Sequence, residues 1–256
     1  MNRENPSFSL RQLFLILLLT FSGFILVDML WQGENDAKIR ILLLEGFTII
    51  PALILIRMKH ISAKQAFRLH PVSVRICGIS LVIGVGLTIV TDALNRLLQL
   101  VIPMPQDLSN LLESVFKCES FFDGIIVFTG VVVIAALSEE MLFRGLVQGT
   151  LEKRMDITRA VMATAIVFTI LHFNPWQAIP ILILGVALGI LTWKSGSIYS
   201  AIIIHALMNL LSVLSVNISA SFLNRFFYST WTAPFWILAG CAGLVWGFRL
   251  FYKWAE

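Results

Sequence analysis

The chain has 256 residues, of which 58% are hydrophobic and 13% charged, with a mean hydropathy of +0.87. A soluble domain of this size carries about 25% charged residues, so the composition excludes an ordinary soluble globule. The formal net charge of +4 comes from basic residues in short loops, where they set membrane topology rather than bind nucleic acid.

Repeated apolar stretches of about 20 residues predict transmembrane helices. Eight spans are expected, at roughly 10–31, 39–57, 74–95, 122–149, 157–174, 177–193, 197–217 and 232–251. The first follows Arg3 and Arg11. It is too long for the apolar core of a signal peptide, and no small-x-small cleavage site follows it, so a retained helix is expected. In the second, Glu45 lies about two turns in, with no charged neighbour at helical spacing, and reads as a structural hydrogen-bonding residue. Asp28 and Asp92 lie near span ends, within reach of water. The loop from Arg57 to Arg75 holds Lys59, Lys64 and Arg68 besides its flanking arginines, together with His60 and His70. It reads as an orientation signal resting on anionic headgroups, in preference to a substrate-binding loop. Segment 103–121 is mildly acidic and amphipathic, as a short interfacial helix would be. The fourth span is longer than a bilayer needs, so its end is expected to project or bend. Trp176, Trp193, Trp231, Trp236 and Trp254 fall near span ends, as interfacial anchors do.

The basic residues test this arrangement. With the N-terminus inside, the inner side receives Arg3, Arg11, Arg57, Lys59, Lys64, Arg68, Arg75, Lys153, Arg154, Arg159, Lys194, Arg249 and Lys253. The outer side receives only Lys38, Arg40, Arg96, Lys117 and Arg225, and Arg144 stays within the fourth span. That asymmetry predicts both termini in the cytoplasm. Cys77, Cys118 and Cys241 are widely separated and odd in number, with neither metal-ligand spacing nor a disulfide framework. The C-terminal Lys253-Trp254-Ala255-Glu256 is not a lipidation signal. The expected organisation is one all-α, polytopic membrane domain of about eight transmembrane helices. It comprises N-terminal helices and loops over 1–121, a core over 122–217 and a C-terminal helix over 218–256.

Chemistry concentrates in that core. Ser138-Glu139-Glu140-Met141-Leu142-Phe143-Arg144-Gly145 ends a strongly apolar run, and charge there is costly without partners. Two further spans each carry one histidine, in Phe168-x-x-x-His172 and His205-x-x-x-Asn209. Glu139 precedes Lys153, His172 follows Arg159 and His205 follows Lys194 by about 21, 20 and 16 Å of helix, so the three groups share a depth on spans four, five and seven. Glu140 and Arg144 are i, i+4 and can pair, while Glu139, about 100° away, can face another cavity. Phe168 lies one turn before His172 and can pack beside its ring. His205 and Asn209 can point at one spot.

Two hydrolytic chemistries fit. Glu139, assisted by His172, can take a proton from a water that attacks a peptide carbonyl, with His205 and Asn209 donating to the oxyanion. Alternatively Glu139, His172 and His205 can bind zinc, which activates the water. The compact H-E-x-x-H motif is missing, so the ligands would come from three helices. The plain alternative is a structural polar cluster in a non-enzymatic membrane immunity or scaffold protein. A transporter fits less well, since no repeated halves or paired broken helices are visible.

Glu139-Glu140-x-x-Phe143-Arg144-Gly145, Phe168-x-x-x-His172 and His205-x-x-x-Asn209, in that order and each in a hydrophobic helix, resemble the CPBP group. That group comprises type II CAAX prenyl proteases and bacteriocin-processing enzymes, also called the Abi family, and the likeness spans about residues 122–217. It implies an eight-helix intramembrane endopeptidase in which Glu139 and His172 activate water, His205 and Asn209 stabilise the oxyanion, and Glu140 and Arg144 support them. The family is often labelled metalloprotease, but a metal-free, glutamate-dependent mechanism without cofactor is expected. The implied partners are membrane lipid and a membrane-associated peptide, either a prenylated CAAX type or a bacteriocin or leader type, with bacteriocin immunity a related role. A bacterial cytoplasmic membrane is the expected location.

Overall fold

The computed structural model describes residues 8–30 and 37–255, and within them the regular elements are helices, with no strand. Arg3 and Trp31, used above for topology and for the end of the first span, lie outside the described residues. Seven of the described helices are long and apolar enough to cross a membrane. They are α1 (Leu10–Leu30), α2 (Lys38–Met58), α3 (Val74–Val101), α5 (Phe121–Leu151), α7 (Pro175–Ser195), α8 (Tyr199–Asn217) and α9 (Thr232–Trp254). Between α3 and α5 lies α4 (Gln106–Phe116), the short amphipathic helix expected in segment 103–121. Its C-terminal end is tied to α8, where Asn217 donates to the Phe116 carbonyl and accepts from the Cys118 N–H, both at 2.8 Å.

The expected span over 157–174 differs. Its helix, α6 (Ile157–Leu171), has 15 residues, about 22 Å of rise against roughly 30 Å of hydrocarbon. The Asp156 carboxylate caps its start, accepting from the Arg159 N–H at 3.0 Å. It ends at His172, and Phe173 follows with φ of +48°. Holding a bulky residue there costs on the order of 1–3 kcal/mol. Its ring stacks on Phe21 of α1 at 5.2 Å, which offsets part of that cost by about 0.5–1.5 kcal/mol. Asn174 and Pro175 then open the next turn. The chain thus turns back just after His172, between α6 and α7.

The bundle closes through small residues. Helices α3 and α9 approach so nearly that a Cβ on Gly86 would lie 2.9 Å from the Gly240 carbonyl, and one on Gly247 would lie 2.6 Å from the Ile83 side chain. Outward-facing Phe14, Leu18, Leu26 and Leu238 stay exposed, as residues meeting lipid chains should. Of the basic loop between α2 and α3, only part suits headgroups. Arg57, Lys59, Lys64 and Arg75 are exposed, but Phe67 and Arg68 turn inward and are buried. Arg68, at φ of +54°, pairs through both guanidinium nitrogens with Glu152, and its carbonyl accepts from the Ile198 N–H at 3.2 Å. The headgroup reading is corrected for Arg68: a hydrophobic neighbour, Phe67, pulls it in, and Glu152 supplies the counter-charge.

Candidate active site

Helix α5 carries the site and is wound unevenly. Two stretches with i→i+5 hydrogen bonding, Phe128–Ala135 and Met141–Gln148, flank one regular α-helical piece, Ala136–Glu140. Such winding is rare, is frequent at functional sites and shifts backbone groups toward other partners. The Val131 carbonyl takes such a partner, accepting a 2.8 Å hydrogen bond from the Asn209 amide of α8.

One half of the site is sealed. Glu140 and Arg144 are both 0% exposed, with Nη1 donating to Oε1 at 2.8 Å, the i, i+4 pair that the spacing suggests. The same Oε1 accepts from His205 Nδ1 at 2.9 Å. The Arg144 guanidinium lies 4.2 Å from the Phe168 ring centre, and its Nη2 donates to the Gly185 carbonyl of α7 at 3.4 Å. The Phe168 ring in turn touches both imidazoles, at 4.5 Å from His172 and 6.1 Å from His205. This phenylalanine therefore holds the two histidines around one point.

The other half is open. His172 has 31% of its side chain exposed and Glu139 13%, and His172 Nε2 lies 3.9 Å from Glu139 Oε2. His172 Nδ1 sits 2.7 Å from the Phe168 carbonyl. A carbonyl only accepts, so Nδ1 carries a proton and donates, and Nε2 is the ring nitrogen that faces Glu139. The end of α6 makes this possible: the His172 N–H turns to Thr169 at 3.2 Å, leaving the Phe168 carbonyl to the ring.

Glu139 faces away from the Glu140–Arg144 pair, and its Oε2 has no hydrogen-bond partner among the described residues. A second acid, Glu45 of α2, lies near enough for the two carboxyl groups to interact. The sequence reads Glu45 as a structural hydrogen-bonding residue without a charged neighbour on its helix; its acidic neighbour is the candidate base on another helix. The signal for it was present, an acid deep in an apolar span, but helical spacing on α2 could not supply the partner.

The alternative chemistry is zinc held by Glu139, His172 and His205. His205 Nδ1 bonds to Glu140 and His172 Nδ1 to a backbone carbonyl, which leaves Nε2 of each ring facing the site. Among the described residues, no group of three or more His, Cys, Asp or Glu side chains has the geometry to hold a metal ion. No chemistry is therefore routed through zinc. What the cluster offers is a carboxyl group beside an imidazole nitrogen, with an amide and a second imidazole nearby.

No curated protein and no solved structure matches the chain. Residues 121–211, from the start of α5 into α8, match the family model of type II CAAX prenyl endopeptidase Rce1-like proteins. That stretch contains Glu139, Glu140, Arg144, Phe168, His172, His205 and Asn209. Within this integral, multi-pass membrane protein, residues 121–211 are thus similar to the type II CAAX prenyl endopeptidase Rce1-like family, in keeping with the CPBP group that the motifs resemble.

Proposed function

We propose that the protein is an intramembrane endopeptidase that hydrolyses a peptide bond in a membrane-associated substrate with water activated by Glu139 and His172. The family match supports a CAAX-type intramembrane protease in general. The observation that carries the finer reading is the 3.9 Å gap between Glu139 Oε2 and His172 Nε2. It is too long for a direct hydrogen bond and short enough for one water oxygen to reach both.

In the first step the water oxygen bonds to the scissile carbonyl carbon, and its proton passes to the Glu139 carboxylate. The oxyanion that forms accepts from Asn209, whose amide has a second N–H beyond the one given to Val131, and from His205 Nε2. Because His205 Nδ1 already donates to Glu140, donation from Nε2 requires the doubly protonated ring, and the Glu140 carboxylate balances its charge. In the second step the C–N bond breaks and Glu139 returns the proton to the leaving nitrogen. The products are a carboxyl and an amine, and Glu139 is ionised again.

The substrate class is a prenylated CAAX-type peptide or a bacteriocin or leader peptide. The basic-residue asymmetry favours cytoplasmic termini and a site open to the inner side, in a bacterial cytoplasmic membrane. The test uses purified protein in lipid vesicles with fluorogenic peptides, prenylated and unprenylated. Wild type should cleave, and Glu139→Ala should fold and not cleave. Equal cleavage by that variant would leave the cluster a structural network, as in a scaffold or immunity protein.

A further inference from the structure

Phe173 follows His172 directly and is strained. Its φ of +48° lies in the left-handed region, where helices that end this way usually place Gly. Among the described residues the other non-glycine positions with positive φ are His60 and Arg68, in the loop between α2 and α3. Phe173 is 61% exposed, so burial does not enforce the conformation. Its ring stacks on Phe21 of α1, with centres 5.2 Å apart and planes inclined by 24°. A bulky residue held off its preferred backbone beside a reactive group points to a task.

That conformation sets the hydrogen bonds around His172. At the end of α6 the chain tightens to i→i−3 bonding. The His172 N–H donates to the Thr169 carbonyl at 3.2 Å, and the Phe173 N–H donates to the Ile170 carbonyl at 3.1 Å. In a continuing α-helix the His172 N–H would instead donate to the Phe168 carbonyl. The tightened turn leaves that carbonyl to His172 Nδ1, 2.7 Å away. The bond at Nδ1 fixes how the ring sits and which nitrogen keeps its proton. It thereby turns Nε2 toward Glu139 Oε2.

We propose that Phe21 is a positioning residue for His172: by stacking on Phe173 it holds the left-handed turn that ends α6, and so keeps the imidazole bonded through Nδ1 with Nε2 facing Glu139. The proposal rests on the water-activating reading of Glu139 and His172. Asn209 and His205 of α8 are each bonded to α5. His172 lies on the short helix α6, and α1 reaches it through the Phe21–Phe173 stack. Phe21 does not touch the reacting atoms. It acts on the fraction of molecules in which His172 is oriented, and activity follows that fraction.

The first test needs no substrate. Full-length protein, labelled on its histidine ring nitrogens and held in lipid nanodiscs, is observed by nitrogen NMR at a pH where the His172 ring is neutral. Nδ1 should carry the proton and Nε2 should be bare, with His172→Gln assigning the signals. Phe21→Ala should move both signals toward those of a ring exchanging between tautomers. Phe173→Gly takes up the turn without strain, so it should keep the wild-type signals with or without Phe21→Ala. Kinetics then read the consequence. Phe21→Ala should lower kcat about 3–10-fold, the contribution of one aromatic pair, at little change in KM. In the Phe173→Gly background the same substitution should change kcat less than about twofold. A wild-type ring bare at Nδ1, unmoved ring signals or unchanged kcat in Phe21→Ala, or an equal loss of kcat in both backgrounds overturns the proposal. Should Phe21→Ala not fold, Phe21→Leu keeps apolar bulk without the ring and is held to the same outcomes. Failure of the protease reading looks different: wild type cleaves nothing, while the ring signals still respond to Phe21→Ala.

Discussion

Replacing Arg144 by methionine tests the sealed half of the site. The guanidinium is fully buried, donates to Glu140 Oε1 at 2.8 Å and lies over the Phe168 ring. Methionine fills a similar volume but leaves Glu140, itself 0% exposed, with His205 as its remaining partner. Removing one member of a buried pair costs about 3–5 kcal/mol, because the other charge stays buried and poorly compensated. For a chain of this size each kcal/mol is worth roughly 2–4 °C, so unfolding should fall by roughly 6–20 °C. Thermal unfolding followed by tryptophan fluorescence in lipid nanodiscs would report it. Combining Arg144→Met with Glu140→Gln removes both charges, and this double variant should recover at least half of the loss. A single variant that melts within about 2 °C of wild type, or a double variant no better than the single, would refute the claim that the pair stabilises through mutual neutralisation.

Asn209→Ala removes a proposed oxyanion donor and the bond to the Val131 carbonyl. It should lower kcat by about 10²–10³-fold and stability by about 1 kcal/mol, as measured by cleavage rate and unfolding temperature. Gly145→Ala would place a Cβ 2.7 Å from the Phe67 Cα, forcing the inner loop away from α5. A loss of about 1–3 kcal/mol is expected from that overpacking, with unfolding as the readout. Since Nε2 of His205 donates only while the ring is doubly protonated, kcat should fall as pH rises and that proton is lost. His205→Gln should flatten this alkaline limb in a pH–rate profile. Dialysis against a strong chelator should leave cleavage unchanged, given the donor geometry at the site. Loss of activity that zinc alone restores would reverse that view.

Much of the site was legible because it follows helical rules on single elements. Glu140 and Arg144 pair at i, i+4, and Phe168 sits one turn from His172 against its ring. Common depth could also be counted from the basic residues that mark one membrane face. The shortness of α6 was less visible. Its apolar run continues to Leu171, and the turn depends on Phe173 adopting a left-handed conformation that its side chain does not favour.

The sequence by itself determined that the chain is a helical membrane protein and which polar groups lie within the bilayer. The physical reason is that burying charge in hydrocarbon is costly enough to single those groups out. Only the tertiary structure decided who meets whom. It gave Glu139 a second acid as neighbour, sent Arg68 inward to Glu152 and tied His205 to Glu140. These contacts depend on how far each helix is rotated, tilted and pressed against the next. Apolar side chains leave those variables nearly undetermined, because lipid and protein offer them similar surroundings.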